Sequence, residues 1–586
     1  MTQSQDTTKP IRFNGYLLPK DRPVEDITAQ VGPGTPCGEY MRRFWHPFLL
    51  ASQLGTRPTL VRLLGEDLVL YRDLSGDLGL VHKHCSHRGA SLEFGIIADH
   101  GIRCCYHGWL FGNDGTILET PGEPPESPHK DKFCHGAYPV VEYDGVIFAY
   151  MGPPALRPEF PMMDAMVMPD NRMKPYLIHS PCNWQQVSEN SMDPFHVAFL
   201  HTRVSGPQFS EIFAELPIIE YHETPHGYFY TNARRVGDFV WIRMHDHLLP
   251  NFSQNGAIFE NVSNVRYFGR PGLTRWVTPV DDVNTLVIAW RHFNDRDDPM
   301  HQGRPNDVGV GTTDFYGQNN ALPYEERQDS PGDWDAWCSL GPVTSHAREH
   351  LGTTDRGVAM LRRRLKSEID NLARGVEPRR PEPQAEIPVP TVGGDTILRI
   401  PVEDGDDRQR IAEICRKVAD AYVQTQHLPD VQRREAIAER LAPLNTADPN
   451  EINPDHGKIF EFKSAAGTML TLQTPQHPGD KMTTAPITDS PALSGRAIID
   501  ALHATGIEFV VSVPDICTSG GLLHPISSEP GLRLVRVCKE DEGVSICAAL
   551  SFCDRRAILL MQQTGLMDSL NALRAVGVDY HNPVYM

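Results

Sequence analysis

The sequence predicts a multidomain chain: a small all-β domain first, a mixed α+β segment next, and a partial α/β unit at the C-terminus. Three observations predict this. Between about residues 25 and 155, apolar runs such as "TLVRLLGEDLVLYRD", "GLVHKHC", "GIRCCYHGWLF" and "GVIFAYMG" are separated by Gly- and Asp-containing turns, the pattern of short antiparallel strands. Farther on, strand-like "GYFYTNARRV" and "NTLVIAWRHF" are interrupted by the helix-like "NWQQVSENSMDPFHVAFLH" and "AMLRRRLKSEIDNLARG". Near the end, "GRAIIDALHATGIEFVVSVPD" reads as a helix followed by a buried strand.

The elements then fall in order. Residues 1–24 form a polar tail, 25–155 the β domain, and 156–440 the mixed segment with a helical extension ("RQRIAEICRKVADAYVQ", "VQRREAIAERLA"). Residues 441–492, rich in Pro, Thr, Asp and Gly, are the expected linker, and 493–586 the α/β part. No internal repeat is present.

The 586 residues carry a formal net charge of -20, which repels phosphate backbones and anionic membranes, so nucleic acid is not an expected partner. The start "MTQSQDTTKP" lacks the regions of a secretory signal, and no apolar run approaches the ~18 residues of a membrane span. Twelve unevenly scattered cysteines do not form a disulfide framework. A cytoplasmic protein with reduced thiols is expected.

The chemistry begins at "CSHRGASLEFGIIADHGIRCCYHGW". Cys85-x-His87 and Cys104-x-x-His107 place one Cys and one His on each of two loops. Structural zinc also takes two Cys and two His, but its usual spacing puts both Cys on one knuckle and both His on a helix. The mixed arrangement suits a [2Fe–2S] centre in which two thiolates hold one iron and two imidazoles the other. Cys104 fits the register, because Cys105 would give Cys-x-His in the second loop. His82, His84 and His100 do not fit the spacing and are expected on the surface.

"CSHRGASLEFG" and "CCYHGWLF" resemble the two cluster loops of Rieske proteins. The flanking "MRRFWHP", "LLGEDLVLYRD" and "YPVVEYDGVIFAYMGP" resemble the oxygenase (alpha) subunits of Rieske non-haem iron oxygenases, closest to the phthalate dioxygenase and aryl O-demethylase branch. The likeness covers roughly residues 25–375. One departure is Cys105, where that family usually has proline; it is expected to be a packing residue open to oxidation.

A second constellation strengthens the resemblance. Asp193, His196 and His201 follow Asn183-Trp184 within one stretch. On a helix Asp193 and His196 share a face, whereas His201 lies about 140° round from His196, so a bend or bulge must bring it back. The pattern resembles the mononuclear iron motif of the same family, in which two imidazoles and a carboxylate hold Fe(2+) and leave positions open. By that resemblance the carboxylate is Asp333 in "GDWDAWCSLGPV", ahead of "REHLGTTDRGVAMLRRRL", with Asp335 and Asp329 as rivals. The resemblance also implies that Asp193 bridges an iron-ligating His and the cluster His107 of a neighbouring subunit; capping the turn before Pro194 is its plainer role.

A third likeness concerns the tail. "GIEFVVSVPD", "KEDEGVSICAAL" and "LMQQTGLMDSLNAL" are similar to the pyrimidine-binding domain of thiamine-diphosphate decarboxylases of the sulfopyruvate and phosphonopyruvate type. That implies Glu542 as the carboxylate for the aminopyrimidine, with Gly565 and Asn571 in the following loop. The segment stops at "HNPVYM", short of a full domain and without a diphosphate- or Mg-binding partner, so an appendage is expected rather than a working thiamine diphosphate site.

The Rieske resemblance implies a β domain, then an antiparallel sheet of helix-grip type around the mononuclear iron. It implies a terminal oxygenase, a homotrimer or a multiple of one, that hydroxylates or O-demethylates an aromatic compound, expected to be an aromatic acid, with O2. "VGPGTPCG" lacks the strand–helix setting of a dinucleotide fingerprint, so a separate NAD(P)H-dependent reductase or ferredoxin supplies the electrons. The rival readings are a pure Rieske electron carrier with an inert appendage, and a fusion with a thiamine half-site.

Overall fold

In the computed structural model the described residues are 27–169, 171–294, 298, 301–381, 388–445, 462–463, 469–470, 495–512, 523–537, 539–553 and 555–560. The tail 1–24, most of the linker range 441–492, and Gly565 and Asn571 lie outside them. The chain divides into two compact units, Met1–Leu472 and Gln473–Met586.

The first unit opens with short antiparallel strands in three small sheets. One joins Trp45–Leu50, Val146–Tyr150 and Val140–Tyr143. Its hairpin is closed by Asp144-Gly145, at φ 41° and 76°, the left-handed pair a tight two-residue turn requires. A second joins Thr59–Leu63, Glu66–Arg72, Leu78–His82 and Ala137–Tyr138. The third joins Ile96–Ala98, Gly101–Arg103, Leu110–Phe111 and Ile117–Glu119. Val69, Val81, Leu92, Ile102, Trp109 and Phe111 form the core on which Cys85 and Cys104 sit.

The following segment is an eight-stranded antiparallel sheet. Its spatial order is Arg172–Ser180, Asn284–Phe293, Leu273–Asp281, Phe252–Asn255, Phe239–Leu248, Gly227–Val236 and Ile218–Thr224, and Gly394–Arg399 also pairs with Phe239–Leu248. The central strand Phe239–Leu248 is buried along its whole length. Alternation explains this, since successive side chains take opposite faces. Val240, Ile242 and Met244 pack against Ile411, Ile414, Cys415 and Val418 of helix Asp407–Gln424, which is apolar at the i, i+3, i+4 positions and capped by Asp406. Trp241, Arg243 and His245 take the other face.

The helix-like stretch from Trp184 is not continuous. Helix Trp184–Asn190 ends before Asp193-Pro194, and a short turn His196–Ala198 passes into a π-helix at Phe199–Val204. Asp193 therefore does not share a helix face with His196; it precedes the turn, where its Oδ1 accepts from Phe195 N at 2.9 Å. Proline after Asp193 removes an N–H and disfavours helix at that residue, which makes the break local to the sequence.

Buried ion pairs tie the loops to the sheet. Arg291 on strand Asn284–Phe293 donates from Nε and Nη2 to the two oxygens of Asp314 at 2.9 and 3.0 Å, and both side chains are buried. Asp314→Ala would leave that guanidinium uncompensated. A loss of about 3–5 kcal/mol is expected, read as a lowered urea midpoint of the first unfolding transition.

In the second unit, Arg533–Arg536, Phe509–Ser512 and Ala557–Leu560 form a parallel three-stranded sheet in that order, with helices Gly495–Ala504 and Glu540–Phe552 in the same unit. This is the α/β composition expected there. Among the described residues no helix is long and apolar enough to cross a membrane.

Candidate active site

The π-helix is the bulge that the His196–His201 spacing demands. Its i→i+5 period brings residues five apart onto one face, and the two imidazoles meet with centroids 5.2 Å apart at 70°. Asp333, the first residue of helix Asp333–Ser339, meets them from far along the chain. Its Oδ1 lies 3.5 Å from His196 Nε2 and 3.2 Å from His201 Nε2. One ligand atom from each residue falls within 4.8 Å of the others. The rivals are elsewhere: Asp335 pairs with Arg327 at 2.5 Å and Asp329 is exposed.

The surroundings fit a metal. Ligands about 2.1 Å from one ion and at right angles lie about 3 Å apart, close to the spacings seen here. His201 Nδ1 faces Gln208 Oε1 at 2.8 Å, so it carries the proton and leaves the Nε2 lone pair facing Asp333. His196 Nδ1 is buried without a hydrogen bond, with Asp193 Oδ2 3.7 Å away. Asn190 Nδ2 donates to Asp333 Oδ1 and Gln318 Nε2 to Oδ2, each at 3.0 Å. Burial pushes the Asp333 carboxyl up, but His201 and then His196 in their protonated forms, with the Gln318 amide, outweigh this and hold it well below the usual carboxylate range; a bound cation would take over the role of those charges.

Three amides, Asn190, Gln208 and Gln318, thus orient the triad, and sequence reasoning missed them all. Gln208 follows His201 by seven residues but belongs to no motif. Gln208→Ala should weaken ferrous iron retention about 10- to 100-fold in a chelator competition, with the visible spectrum of the cluster unchanged.

The triad opens into a cavity lined by Asp193, Phe209, Phe213, Tyr230, Arg243, His245, Arg275 and Phe315 among others. Of these, only Asp193 was expected from the sequence. The signal for Arg243 and His245 was the alternation of polar residues in "FVWIRMHDHL", a strand buried on both faces.

The Cys85, His87, Cys104 and His107 constellation lies on the third small sheet and the loop before it. The two loops close alike. Cys85 N donates to Ala90 O and Gly89 N to Cys85 O; Cys104 N donates to Trp109 O and Gly108 N to Cys104 O. Gly89 and Gly108 sit at φ 79° and 74°, where a side chain would be strained. Cys85 and Cys104 are buried, and the His87 and His107 rings lie 4.6 Å apart. Burial, with Cys104 adding to it, pushes the Cys85 thiol up to about 11, so a nearby cation is what would favour its thiolate. His87 stacks on Trp109 at 4.7 Å, and its Nδ1 is buried without a partner. Two inward sulfurs, two adjacent imidazoles and an orphaned ring nitrogen fit a cluster. Cys105 is exposed, so it is not a packing residue in this chain. His82, His84 and His100 are exposed, as expected.

Comparison with known proteins agrees with this geometry. The Rieske [2Fe-2S] domain family matches residues 44–142. The chain is 40% identical, over 74% of its length and 97% of the relative's, to the tert-butanol monooxygenase / tert-amyl alcohol desaturase oxygenase subunit of Aquincola tertiaricarbonis. The chain belongs to the Rieske oxygenase subunits. It is also 37% identical to the phenoxybenzoate dioxygenase subunit alpha of Ectopseudomonas oleovorans, over 62% of this chain and 89% of that one. With the 5,5'-dehydrodivanillate O-demethylase oxygenase subunit of Sphingobium sp. the identity is 33%, over 64% and 87%. A Rieske oxygenase subunit uses a [2Fe–2S] cluster and a non-haem iron, and both donor sets above are suited to these.

Of the thiamine-type residues only Glu542 is described. It stands exposed on helix Glu540–Phe552, without the enclosure that would press a carboxylate against a buried ring.

Proposed function

We propose that this Rieske oxygenase subunit is the terminal component of a system that hydroxylates or O-demethylates an organic substrate, preferentially an aromatic one. The observation that carries this is the convergence of His196, His201 and Asp333, each with one ligand atom within 4.8 Å of the others, in the lining of one cavity. Cys85, His87, Cys104 and His107 are the residues proposed to hold the cluster. When bound, the cluster relays single electrons and the ferrous iron activates O2.

The chain's own residues position the reaction. Gln208 holds the His201 proton at Nδ1, and Asn190 and Gln318 hold both oxygens of Asp333 as acceptors. Phe209, Phe213, Phe315 and Tyr230 give the cavity aromatic walls, which suit a flat ring and exclude water. This favours an aromatic substrate even though one relative is named for tertiary alcohols.

Asp193 is proposed to link the two centres between subunits of a homotrimer. Its carboxylate, still partly exposed, reaches toward His196 Nδ1 on one side and can accept from an imidazole of a neighbour on the other. Tyr106, Phe94 and Ile96, exposed on or near the cluster loops, offer the apolar surface such a contact needs. Electrons come from a separate reductase or ferredoxin.

The test is turnover with a surrogate reductase, NADH and isotopically labelled O2 on a panel of aryl acids, methoxyaryl acids and tert-butanol. Label in a hydroxylated product, or formaldehyde from a methoxyaryl acid, is expected. Reductant consumption with no oxygenated or demethylated product from any of them would favour the electron-carrier reading.

A further inference from the structure

We propose that Cys182 and Cys338 are a modification site: hydrogen peroxide joins them in a reversible disulfide, and that bond loosens the iron ligand Asp333. This goes beyond the oxygenase reading and rests on it only in taking the triad as an iron site.

The two thiols stand at one end of a pair of helices, and the triad carboxylate stands at the other. Cys182 precedes helix Trp184–Asn190, and Cys338 lies in the last turn of helix Asp333–Ser339. Cys338 Sγ and Cys182 Sγ are 4.0 Å apart, close to contact. Midway along, Gln186 Nε2 donates to Trp337 O at 2.7 Å. At the far end Asn190 Nδ2 donates to Asp333 Oδ1 at 3.0 Å. The helices therefore run antiparallel, with a thiol pair across one end and an iron ligand across the other. Neither sulfur belongs to the donor set of the cluster.

Exposure orders the chemistry. Cys182 is fully buried and Cys338 half-buried, so an oxidant reaches Cys338 first. The hydrogen bond with Cys338, then burial, push the Cys182 thiol well up, which also makes it the slower thiol. Peroxide converts the Cys338 thiol to a sulfenic acid and releases one water. Cys182 Sγ then attacks that sulfur, the S–O bond breaks, and a second water leaves with the Cys182 proton. Two thiols and one peroxide thus give one disulfide and two waters, the sulfurs losing the two electrons that cleave the O–O bond.

A disulfide holds its sulfurs about 2 Å apart, so one side must move. Cys182 is the fixed side. Its N donates to Ser180 O at 2.8 Å, and its O accepts from Thr285 Oγ1 at 2.7 Å on the neighbouring strand of the large sheet. Cys338 rides on a helix of only 7 residues, and Asp333 is the first of them. Drawing Cys338 inward carries the carboxylate with it. Metal ligands tolerate shifts of only about 0.2 Å, so a small displacement weakens the site.

The test uses the full chain with its cluster in place and its triad emptied by chelator. One sample is treated with hydrogen peroxide and quenched with catalase; the other is reduced with dithiothreitol and desalted. Both are then titrated anaerobically with ferrous iron. Peptide mapping of the oxidised sample should give a linked Cys182–Cys338 peptide. Its iron affinity should be about 10- to 100-fold below that of the reduced sample, the scale on which disturbing a ligand's support acts, with the same cluster spectrum. Dithiothreitol should restore it. Cys338→Ser should bind iron like the reduced chain, before and after peroxide. No linked peptide, a linked peptide with unchanged iron affinity, or an equal loss in Cys338→Ser overturns the proposal. The comparison of oxidised with reduced chain does not depend on how the variant folds. Failure of the oxygenase reading is distinguishable, because the reduced chain would then bind no ferrous iron at the triad.

Discussion

Asp333→Ala is expected to strip the mononuclear iron and abolish product formation while leaving the cluster spectrum intact. The variant removes the oxygen that both imidazoles face and leaves two neutral ligands, whose affinity for a hard ferrous ion is low. Asn190 and Gln318 would lose their shared acceptor, and neither amide can supply the missing negative charge. Iron should fall from about three to about two per chain, because the cluster's own two irons depend on other residues. Asp335→Ala is the control. That carboxylate is held by Arg327 and accepts from Gly332 N, so its loss should destabilise the start of the helix and spare the iron. Iron lost from the Asp335 variant and kept in the Asp333 variant would reverse the assignment.

Asp193→Asn should have an effect of similar size by a different route. The isosteric amide can still accept from Phe195 N, so the turn before Pro194 should survive. What it loses is the negative charge that an imidazole N–H on either side would meet. Both centres should fill normally, and the cluster should still be reduced by the reductase at the wild-type rate. Product formation should fall at least about 100-fold, and single-turnover experiments should show the reduced cluster persisting. Unchanged turnover would confine Asp193 to capping.

Much of the site was legible because its chemistry is local in sequence. The two loops with Cys85, His87, Cys104 and His107 carry their own register, and buried Cys104 beside exposed Cys105 follows it. The His196–His201 spacing also announced a helical irregularity, because five residues do not close a turn of an α-helix. The choice among Asp329, Asp333 and Asp335 was not legible from composition. It depends on where helix Asp333–Ser339 begins and which carboxylate Arg327 occupies. Asn190, Gln208 and Gln318 escaped because an amide pointing at a ligand has no signature until the chain has folded. Arg243 and Arg275 escaped for another reason: a strand buried on both faces hides which side is core and which is cavity. The break at Asp193-Pro194 was written in the proline but was read through as helix.

The most direct test of the two-centre account is the iron, acid-labile sulfide and zinc content of the anaerobically purified full chain. About three irons and two sulfides per chain, with negligible zinc, are expected for one cluster and one mononuclear site. About two irons and two sulfides would leave an electron carrier with an empty triad, and stoichiometric zinc without sulfide would contradict both centres.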